Sequence, residues 1–213
     1  TIETFSARDL FNQICEAAWS CADPGLQFDT TINDWHTCAA TDRINGSNPC
    51  SEYMFLDDTA CNLASLNLVK YVDENGAFDT ERFSAAANVF ASAMEIIVDF
   101  ASYPTQKIAQ NSHDYRPLGI GYANLGALLM SSGIPYDSEA GRAICGGITS
   151  LLSGRSYRTS AEIAKTKGAF NGFKRNEYAM HRVMQKHADA CSDGPVDDAA
   201  NDIIAAAKTT WAQ

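Results

Sequence analysis

Two thiols and a carboxylate lie within one short stretch of this 213-residue chain. Glu52 follows Cys50 by two positions, Cys61 follows it by eleven, and the amide of Asn48 precedes it by two. A thiol S–H bond is weak enough for the sulfur to become a thiyl radical, which can take a hydrogen atom from carbon. A nearby carboxylate can accept a proton from a hydroxyl group, and a pair of thiols can supply two reducing equivalents by closing to a disulfide. One group able to carry a radical, an acid–base carboxylate and a second thiol therefore lie within one short stretch.

The conformation of the segment 48–52 decides whether these groups can act together. In an extended segment, alternate side chains project to the same side. Asn48, Cys50 and Glu52 would then share one edge, where the amide could orient a hydroxyl group and the carboxylate could take its proton. Pro49 stiffens the segment. We therefore expect an extended strand edge with three functional groups on it.

The five remaining cysteines are interpreted as small buried hydrophobic residues, because free cysteines are among the most buried residue types. They are Cys15, Cys21, Cys38, Cys145 and Cys191. A total of seven cysteines is odd and their spacing is irregular, whereas a secreted disulfide scaffold usually has an even number. This pattern favours a reducing compartment, and we expect a cytoplasmic location.

The amino-acid composition limits which kinds of partner are expected. With 46% hydrophobic and 20% charged residues, the chain can bury a sizeable core. A net charge of −10 argues against a broad surface that follows a phosphate backbone, so a nucleic-acid polymer is not expected as a partner. No stretch approaches ~20 uninterrupted apolar residues, so no membrane association is expected.

Hydrophobic periodicity and turn signals predict a mainly helical chain with a few early strands. The early part is predicted as a helix over 4–21, a short strand over 26–31, an irregular segment over 33–60 and a strand over 61–72. The later part is predicted as helices over 79–104, 118–131, 137–167, 174–190 and 196–212, with a loop over 105–117. Gly119 and Gly121, inside the range 118–131, are interpreted as small residues that allow close helix packing.

The cysteine stretch resembles a known family. Asn48-Pro49-Cys50-Ser51-Glu52, followed by Cys61-Asn62-Leu63-Ala64-Ser65-Leu66-Asn67-Leu68, resembles the radical cysteine loop of ribonucleotide reductases. The spacing of the two cysteines resembles the adenosylcobalamin-dependent, class II branch. Three further segments extend the similarity over essentially the whole chain, namely 25–37, 116–121 and 167–170.

The resemblance implies an α/β fold, in which the chain is part of a ten-stranded α/β barrel. Residues 1–213 would form a fragment of one catalytic barrel domain. Within it, 33–60 would be a finger loop that enters the barrel with the radical cysteine at its tip, 61–72 a barrel strand, and 79–213 a mainly helical region. The expected fragment lacks an upstream cysteine, a later phosphate-binding loop and a C-terminal cysteine pair, and alone it is expected to be inactive.

The same resemblance implies a ribonucleoside-diphosphate reductase that makes 2′-deoxyribonucleotides for DNA synthesis. Adenosylcobalamin would generate the radical, Cys50 would carry it as a thiyl, and Glu52 would accept a proton. Asn48 would orient a substrate hydroxyl or accept its proton, and residues 48–52 together would contact the substrate. Cys61 would form a redox-active disulfide with a cysteine upstream of this chain.

The implied partners are the ribonucleotide substrate, a thioredoxin-type reductant and a deoxynucleotide effector that binds outside this chain. The resemblance also leaves room for a homodimer. No resident metal site is expected within these residues.

Four alternatives compete with this interpretation. In the large subunit of a class I reductase, the second redox cysteine normally lies much farther downstream. A structural zinc site could use His36, Cys38 and other cysteines, although such sites prefer paired ligands a few residues apart. A papain-like hydrolase could pair Cys50 with one of three histidines, although a proline directly before Cys50 disfavours a helix there. These histidines are His113, His181 and His187. A nonenzymatic helical interaction module would explain residues 80–213 but not the cysteine stretch.

Overall fold

The computed structural model describes residues 3–194 and 197–213 and is mainly helical, as the sequence predicts. Its described residues form eight α-helices: α1 Ala7–Cys21, α2 Asp29–Asp34, α3 Thr80–Phe100, α4 Gln106–Tyr115, α5 Leu125–Ser131, α6 Glu139–Lys167, α7 Phe173–Asp193 and α8 Asn201–Trp211. They also form two β-strands, β1 Asn62–Asn67 and β2 Leu118–Ala123, and two 3₁₀-helices, Leu68–Tyr71 and Asp198–Ala200.

The two strands form a parallel pair. Their register aligns Asn62 with Leu118 at one end and Asn67 with Ala123 at the other. A parallel pair requires a long crossover connection, and α3 and α4 supply it here. The start of β2 is fixed by Arg116, which ends α4 with a left-handed φ of 48° and forms ion pairs with Glu95 and Asp99 of α3.

The hydrophobic core lies between the sheet, α3 and the long helix α6. Leu66 and Leu68 bring the end of β1 into this core, where Phe83 of α3 and Ile148 of α6 are completely buried. The last helix, α8, closes the far side of α6, and the indole N–H of Trp211 donates to the Ser150 carbonyl oxygen at 3.1 Å. The strands are therefore anchored on one face by helices, whereas the other face of the sheet is open.

Helix α3 is the one described helix whose length and hydropathy would allow it to cross a membrane. In the fold it behaves as a packed helix, because Phe83, Ala87, Met94 and Val98 are buried along one face. Its polar side chains also make intramolecular contacts. For example, the Asn88 side chain accepts a hydrogen bond from the Thr159 hydroxyl group of α6 at 3.1 Å.

A buried asparagine ties the segment before the cysteine stretch to the C-terminal helices. Asn176 of α7 is fully buried; its side-chain oxygen accepts from the Ala40 N–H at 3.0 Å, and its amide donates to the Thr41 hydroxyl and the Gly172 carbonyl. The Tyr115 hydroxyl donates to the same Thr41 oxygen at 3.1 Å. This network holds one end of the irregular segment in place.

Several sequence predictions agree with the structure. Helix α3 begins after Asp79, whose carboxylate accepts from the Arg82 N–H at 2.9 Å, as the acidic start of the predicted helix over 79–104 suggests. The predicted helices over 4–21, 137–167 and 174–190 correspond to α1, α6 and α7. The predicted helix over 196–212 corresponds to a 3₁₀ turn followed by α8, and its first residue lies outside the described ranges.

Other predictions about local structure are wrong. The strand predicted over 26–31 is instead the start of α2, and the loop predicted over 105–117 contains α4, capped by the Thr105 hydroxyl, which accepts from the Ile108 N–H at 3.2 Å. The helix predicted over 118–131 is a strand followed by a short helix, separated by Asn124 with a left-handed φ of 70°. The strand predicted over 61–72 ends at residue 67 and continues as a 3₁₀-helix.

Replacing Asn176 with alanine should destabilise the protein. The change removes three hydrogen bonds made by a fully buried side chain, and each such bond typically contributes ~0.5–1.5 kcal/mol. We expect a clear drop in the denaturant midpoint of Asn176→Ala. The control is Asn171→Ala, an exposed position where the lost contact to Asp114 should change stability by less than ~0.5 kcal/mol. Equal midpoints for the two variants would contradict the role of this network.

Candidate active site

Cys61 stands at the start of β1, on the open face of the sheet. Because side chains alternate along a strand, Leu63 and Ser65 share its face, and both are exposed. On the neighbouring strand this face carries Gly119 and Gly121. The opposite face packs on α3, where the Asn62 amide donates to the Met94 carbonyl oxygen at 3.1 Å. A thiol therefore projects from a sheet face that also carries the exposed side chains of Leu63 and Ser65 and the two glycines.

Cys50 lies in a tight turn rather than in an extended segment, so the expected strand edge over 48–52 is wrong. The Ser51 N–H donates to the Asn48 carbonyl oxygen at 3.1 Å, and Ser51 has a left-handed φ of 66°. Asn-Pro commonly begins such a turn, and the Asn48 side chain closes it further by accepting from the Tyr53 N–H at 2.9 Å. Cys50 is exposed in this turn.

Side-chain hydrogen bonds hold the turn and the approach to β1. The Gln27 amide donates to the Ser51 hydroxyl at 2.5 Å, which connects the turn to the segment before α2. Farther along, the hydroxyl groups of Tyr53 and Thr59 form a hydrogen bond of 2.7 Å, and the Ala60 N–H donates to the Ser112 hydroxyl of α4. The irregular segment is thus fixed by specific polar contacts, and no helix or strand occurs between α2 and β1.

The electrostatics connect Glu52 with Cys61. Partial burial raises the pKa of the Cys61 thiol, and the negative charge of Glu52 raises this pKa further. Cys61 is therefore a protonated thiol at neutral pH. Of the predicted site residues, Glu52 is the one whose charge acts on Cys61.

The arrangement can combine three kinds of chemistry. The exposed thiol of Cys50 is accessible for hydrogen-atom transfer, the Glu52 carboxylate can accept a proton, and Cys61 holds a thiol hydrogen beside an open sheet face. Asn48 uses its side-chain oxygen within the turn, so its N–H groups are the ones that can orient a substrate hydroxyl.

His36 has a structural role. It is 2% exposed, one ring nitrogen contacts the Asp42 carbonyl oxygen at 3.0 Å, and the other accepts from the Cys38 N–H at 3.4 Å. Burial lowers the pKa of His36 and raises the pKa of Cys38 to about 11, so both groups are neutral. These contacts occupy both ring nitrogens of His36, the histidine on which the zinc alternative depended.

The histidines of the hydrolase alternative contact other groups. His113 bonds to Asp99 at 3.2 Å, His181 packs against Phe173, and His187 stacks on Trp211. Among the described residues, none of them forms a hydrogen bond with Cys50, which also lies outside any helix.

The five cysteines interpreted as buried divide into two groups. Cys38 is buried, and Cys145 and Cys191 are partly buried. Cys15 and Cys21 are exposed, so the interpretation is wrong for them. The reason is that α1 has no buried residue, because nothing in the described structure covers its apolar side.

Two residues at this site do not stand out in the sequence. Gln27 belongs to a segment noted only for its resemblance, and its hydrogen bond to Ser51 depends on a turn that the sequence does not predict. Gly119 is placed beside Cys61 by strand pairing, whereas the sequence suggested a helix there. The one available signal for Gly119 was its alternation with Gly121, which fits a strand face as well as a helix contact.

The chain matches the family described as ribonucleotide reductase, barrel domain, over residues 1–213. A vitamin B12-dependent ribonucleotide reductase of Rhodopirellula baltica is 57% identical over 208 residues, which are 98% of this chain and 20% of that protein. One of Streptomyces clavuligerus is 54% identical over 216 residues, covering 99% of this chain and 22% of that protein. The vitamin B12-dependent ribonucleoside-diphosphate reductase of Mycobacterium tuberculosis is 32% identical over 173 residues, or 81% of this chain and 25% of that protein.

A solved structure has the same fold. The alpha subunit of the class Id ribonucleotide reductase of Actinobacillus ureae matches with a TM-score of 0.65 and 19% identity, over 81% of this chain and 34% of that subunit. At this identity the likeness concerns the fold alone. The described helices and strands are part of this barrel architecture, and the chain spans about a fifth of the length of the two most similar relatives named above.

Removing the charge of Glu52 should make Cys61 more reactive. Glu52→Gln abolishes a negative charge that disfavours the thiolate, so the pKa of Cys61 should fall while the effect of burial remains. Alkylation of Cys61, followed by peptide mass mapping over a pH series, should therefore show its midpoint at lower pH. The control is Glu74→Gln, in the turn before α3, which should leave the profile unchanged. A Cys61 profile that is identical in Glu52→Gln and the parent protein would contradict the proposed proximity.

Proposed function

Because the chain belongs to the ribonucleotide reductase barrel-domain family, we propose that the protein containing it reduces ribonucleotides to 2′-deoxyribonucleotides by a thiyl-radical mechanism. The observation that carries this proposal is the pair of thiols: Cys50 is exposed in the turn that precedes β1, and the Cys61 sulfur lies on the open face of the sheet beside Gly119. A substrate on the open face of the sheet could meet both thiols. The product would serve DNA synthesis.

Adenosylcobalamin is the proposed cofactor, since the most similar relatives named above are called vitamin B12-dependent. The residues present fit such a group at one point, because the exposed Cys50 thiol is accessible to a bulky reactant. The imidazole of His36 is not accessible to the cofactor, because it is buried and engaged with backbone groups. When bound, the cofactor would supply the organic radical that removes the hydrogen atom from Cys50. The other roles below belong to residues of this chain.

Cys50 and Glu52 would act together on the ribose. The Cys50 thiyl takes the hydrogen atom from the 3′ carbon, while Glu52 accepts the proton of the 3′ hydroxyl group. General base catalysis of this kind typically contributes ~10²–10⁴-fold in rate. Asn48 would orient the hydroxyl through its N–H groups, and the turn over 48–52 would contact the substrate.

Cys61 would supply reducing equivalents. Loss of the 2′ hydroxyl group as water consumes two electrons and two protons, which two thiols provide as their sulfurs join in a disulfide. The raised pKa of Cys61 supports this role because the thiol keeps its proton until the reaction uses it. Its partner would be a cysteine upstream of this chain, and a thioredoxin-type reductant would restore both thiols. Cys50 ends each cycle by returning its hydrogen to the 3′ carbon.

The remaining assignments follow from the family rather than from the site. We propose a ribonucleoside diphosphate as substrate, a deoxynucleotide effector bound outside these residues, and a homodimer. A cytoplasmic location is supported by the seven cysteines, all of which lie in the described ranges and are free thiols.

Cys50→Ser should abolish ribonucleotide reduction in the full-length enzyme. An alcohol O–H bond is too strong to relay a hydrogen atom efficiently, and an exposed turn position should tolerate the substitution. Deoxynucleotide formation with dithiothreitol as reductant measures the loss. The matched control is Cys15→Ser, another exposed cysteine, which should keep full activity. Appreciable product from Cys50→Ser would refute the radical role.

The variant Cys61→Ser should distinguish the role of Cys61 from that of Cys50. Cobalamin-dependent hydrogen exchange at the start of the reaction needs Cys50 and should persist, while reductant-dependent product formation should collapse. If Cys61 were only a buried structural residue, the variant would lose thermal stability but its folded fraction would still turn over with reductant. Measuring exchange and product formation on one sample decides between these outcomes.

A further inference from the structure

Gly119 lies directly beside the sulfur of Cys61. In the parallel register Gly119 is paired with Leu63, so its missing side chain would share the face that carries Cys61. A Cβ at this position would lie 3.3 Å from the Cys61 Sγ and 3.1 Å from the Asn62 carbonyl oxygen, and it would clash with a terminal methyl of Leu63. The thiol thus occupies part of the space that any side chain at position 119 would take.

The three close neighbours differ in how easily they can move. Leu63 is 66% exposed, so its methyl group can rotate into solvent. The Asn62 carbonyl belongs to the backbone of β1, which is fixed by the sheet and by the Asn62 amide contact to α3. A Cβ at position 119 would therefore displace the Leu63 methyl at little cost. Because the Asn62 carbonyl is held by the strand, the Cys61 sulfur is the other neighbour that would be displaced.

Backbone conformation does not explain this glycine. The described glycines with left-handed φ are Gly76, Gly133 and Gly168, and Gly119 is in regular strand geometry. Gly121 offers a direct comparison on the same face of β2, because a Cβ there would meet nothing closer than the Ser65 hydroxyl at 3.9 Å. The tight fit is specific to the glycine beside the thiol.

We propose that Gly119 is a positioning residue for the reduction, whose bare backbone leaves the Cys61 sulfur free to meet a second sulfur. The inference rests on the proposed function, in which two thiols give up two electrons and two protons to the substrate and close to a disulfide. Disulfide closure tolerates little error, since the Cβ atoms must approach to roughly 3.5–4.5 Å with a restricted dihedral angle. A displacement of the sulfur, or a methyl group covering it, should slow this closure.

The test compares Gly119→Ala with Gly121→Ala in the full-length enzyme. For Gly119→Ala we expect a fall in kcat of about tenfold, as is reasonable when a misplacement of about 1 Å costs ~10²-fold, with KM unchanged. Alkylation of Cys61 by iodoacetamide should also slow by about tenfold, or ~1.4 kcal/mol in the barrier. Gly121→Ala should leave the alkylation rate of Cys61 at the parent value, because a Cβ there meets nothing closer than the Ser65 hydroxyl. Alkylation reports on the Cys61 sulfur directly and does not require turnover.

A second pair of variants guards against misfolding. If the contact with Leu63 prevents Gly119→Ala from folding, the double variant Leu63→Ala/Gly119→Ala removes that contact and keeps the two others. We expect the double variant to fold and to show the slow Cys61, with Leu63→Ala alone reacting at the parent rate.

The outcomes distinguish the inference from the function on which it rests. Parent-like kcat and Cys61 alkylation in the folded Gly119→Ala enzyme, or in the double variant, would overturn the positioning role of Gly119 alone. Reductant-dependent turnover retained by Cys61→Ser would overturn the proposed function, and this inference with it, whatever the alkylation rates are.

Discussion

The parallel pairing of β1 with β2 is the interaction on which the site depends. It joins residues 62–67 to residues 118–123 across a crossover formed by α3 and α4. The pairing turns one face of β1 towards α3 and leaves the other face open, so that Cys61 projects from the open side. The same register sets Gly119 against the thiol. A shift of the register by one residue would turn the side chains of the shifted strand to the opposite face and would dismantle this arrangement.

The turn that carries Cys50 is fixed by a different kind of interaction. Its backbone is held by side chains, with Asn48 accepting from the Tyr53 N–H and Gln27 donating to the Ser51 hydroxyl. Cys61 gains its orientation from the rigid sheet, whereas Cys50 is presented at the surface of a polar turn. This division suits the proposed roles, since Cys61 must meet a fixed partner while Cys50 must reach both a cofactor and a substrate.

The sequence was informative where chemistry or local capping decided the outcome. The cluster of Cys50, Glu52 and Cys61 could be selected by residue type and spacing, and the charge of Glu52 does act on Cys61. Helices α3 and α6 carry their own start signals in Asp79 and Ser138, whose side chains cap the first turns, so they were predictable. Non-local contacts decided the failures: β2 is a strand because β1 supplies its hydrogen-bond partners, and a short apolar run does not reveal this in sequence. Likewise, the hydrogen bonds from Tyr53 and Ser51 to Asn48 fold the segment over 48–52 into a turn, where alternation alone predicted an extended edge.

In the proposed reaction, Cys50 relays a hydrogen atom while Cys61 delivers electrons. The most direct measurement is peptide mapping of the full-length enzyme after a single turnover without external reductant, with the free thiols blocked at the moment of quenching. If Cys61 delivers the electrons, it is recovered in a disulfide with an upstream cysteine, in an amount equal to the product formed. Cys50 is recovered as a free thiol. Product formed with Cys61 still present as a free thiol would show that Cys61 does not deliver the electrons.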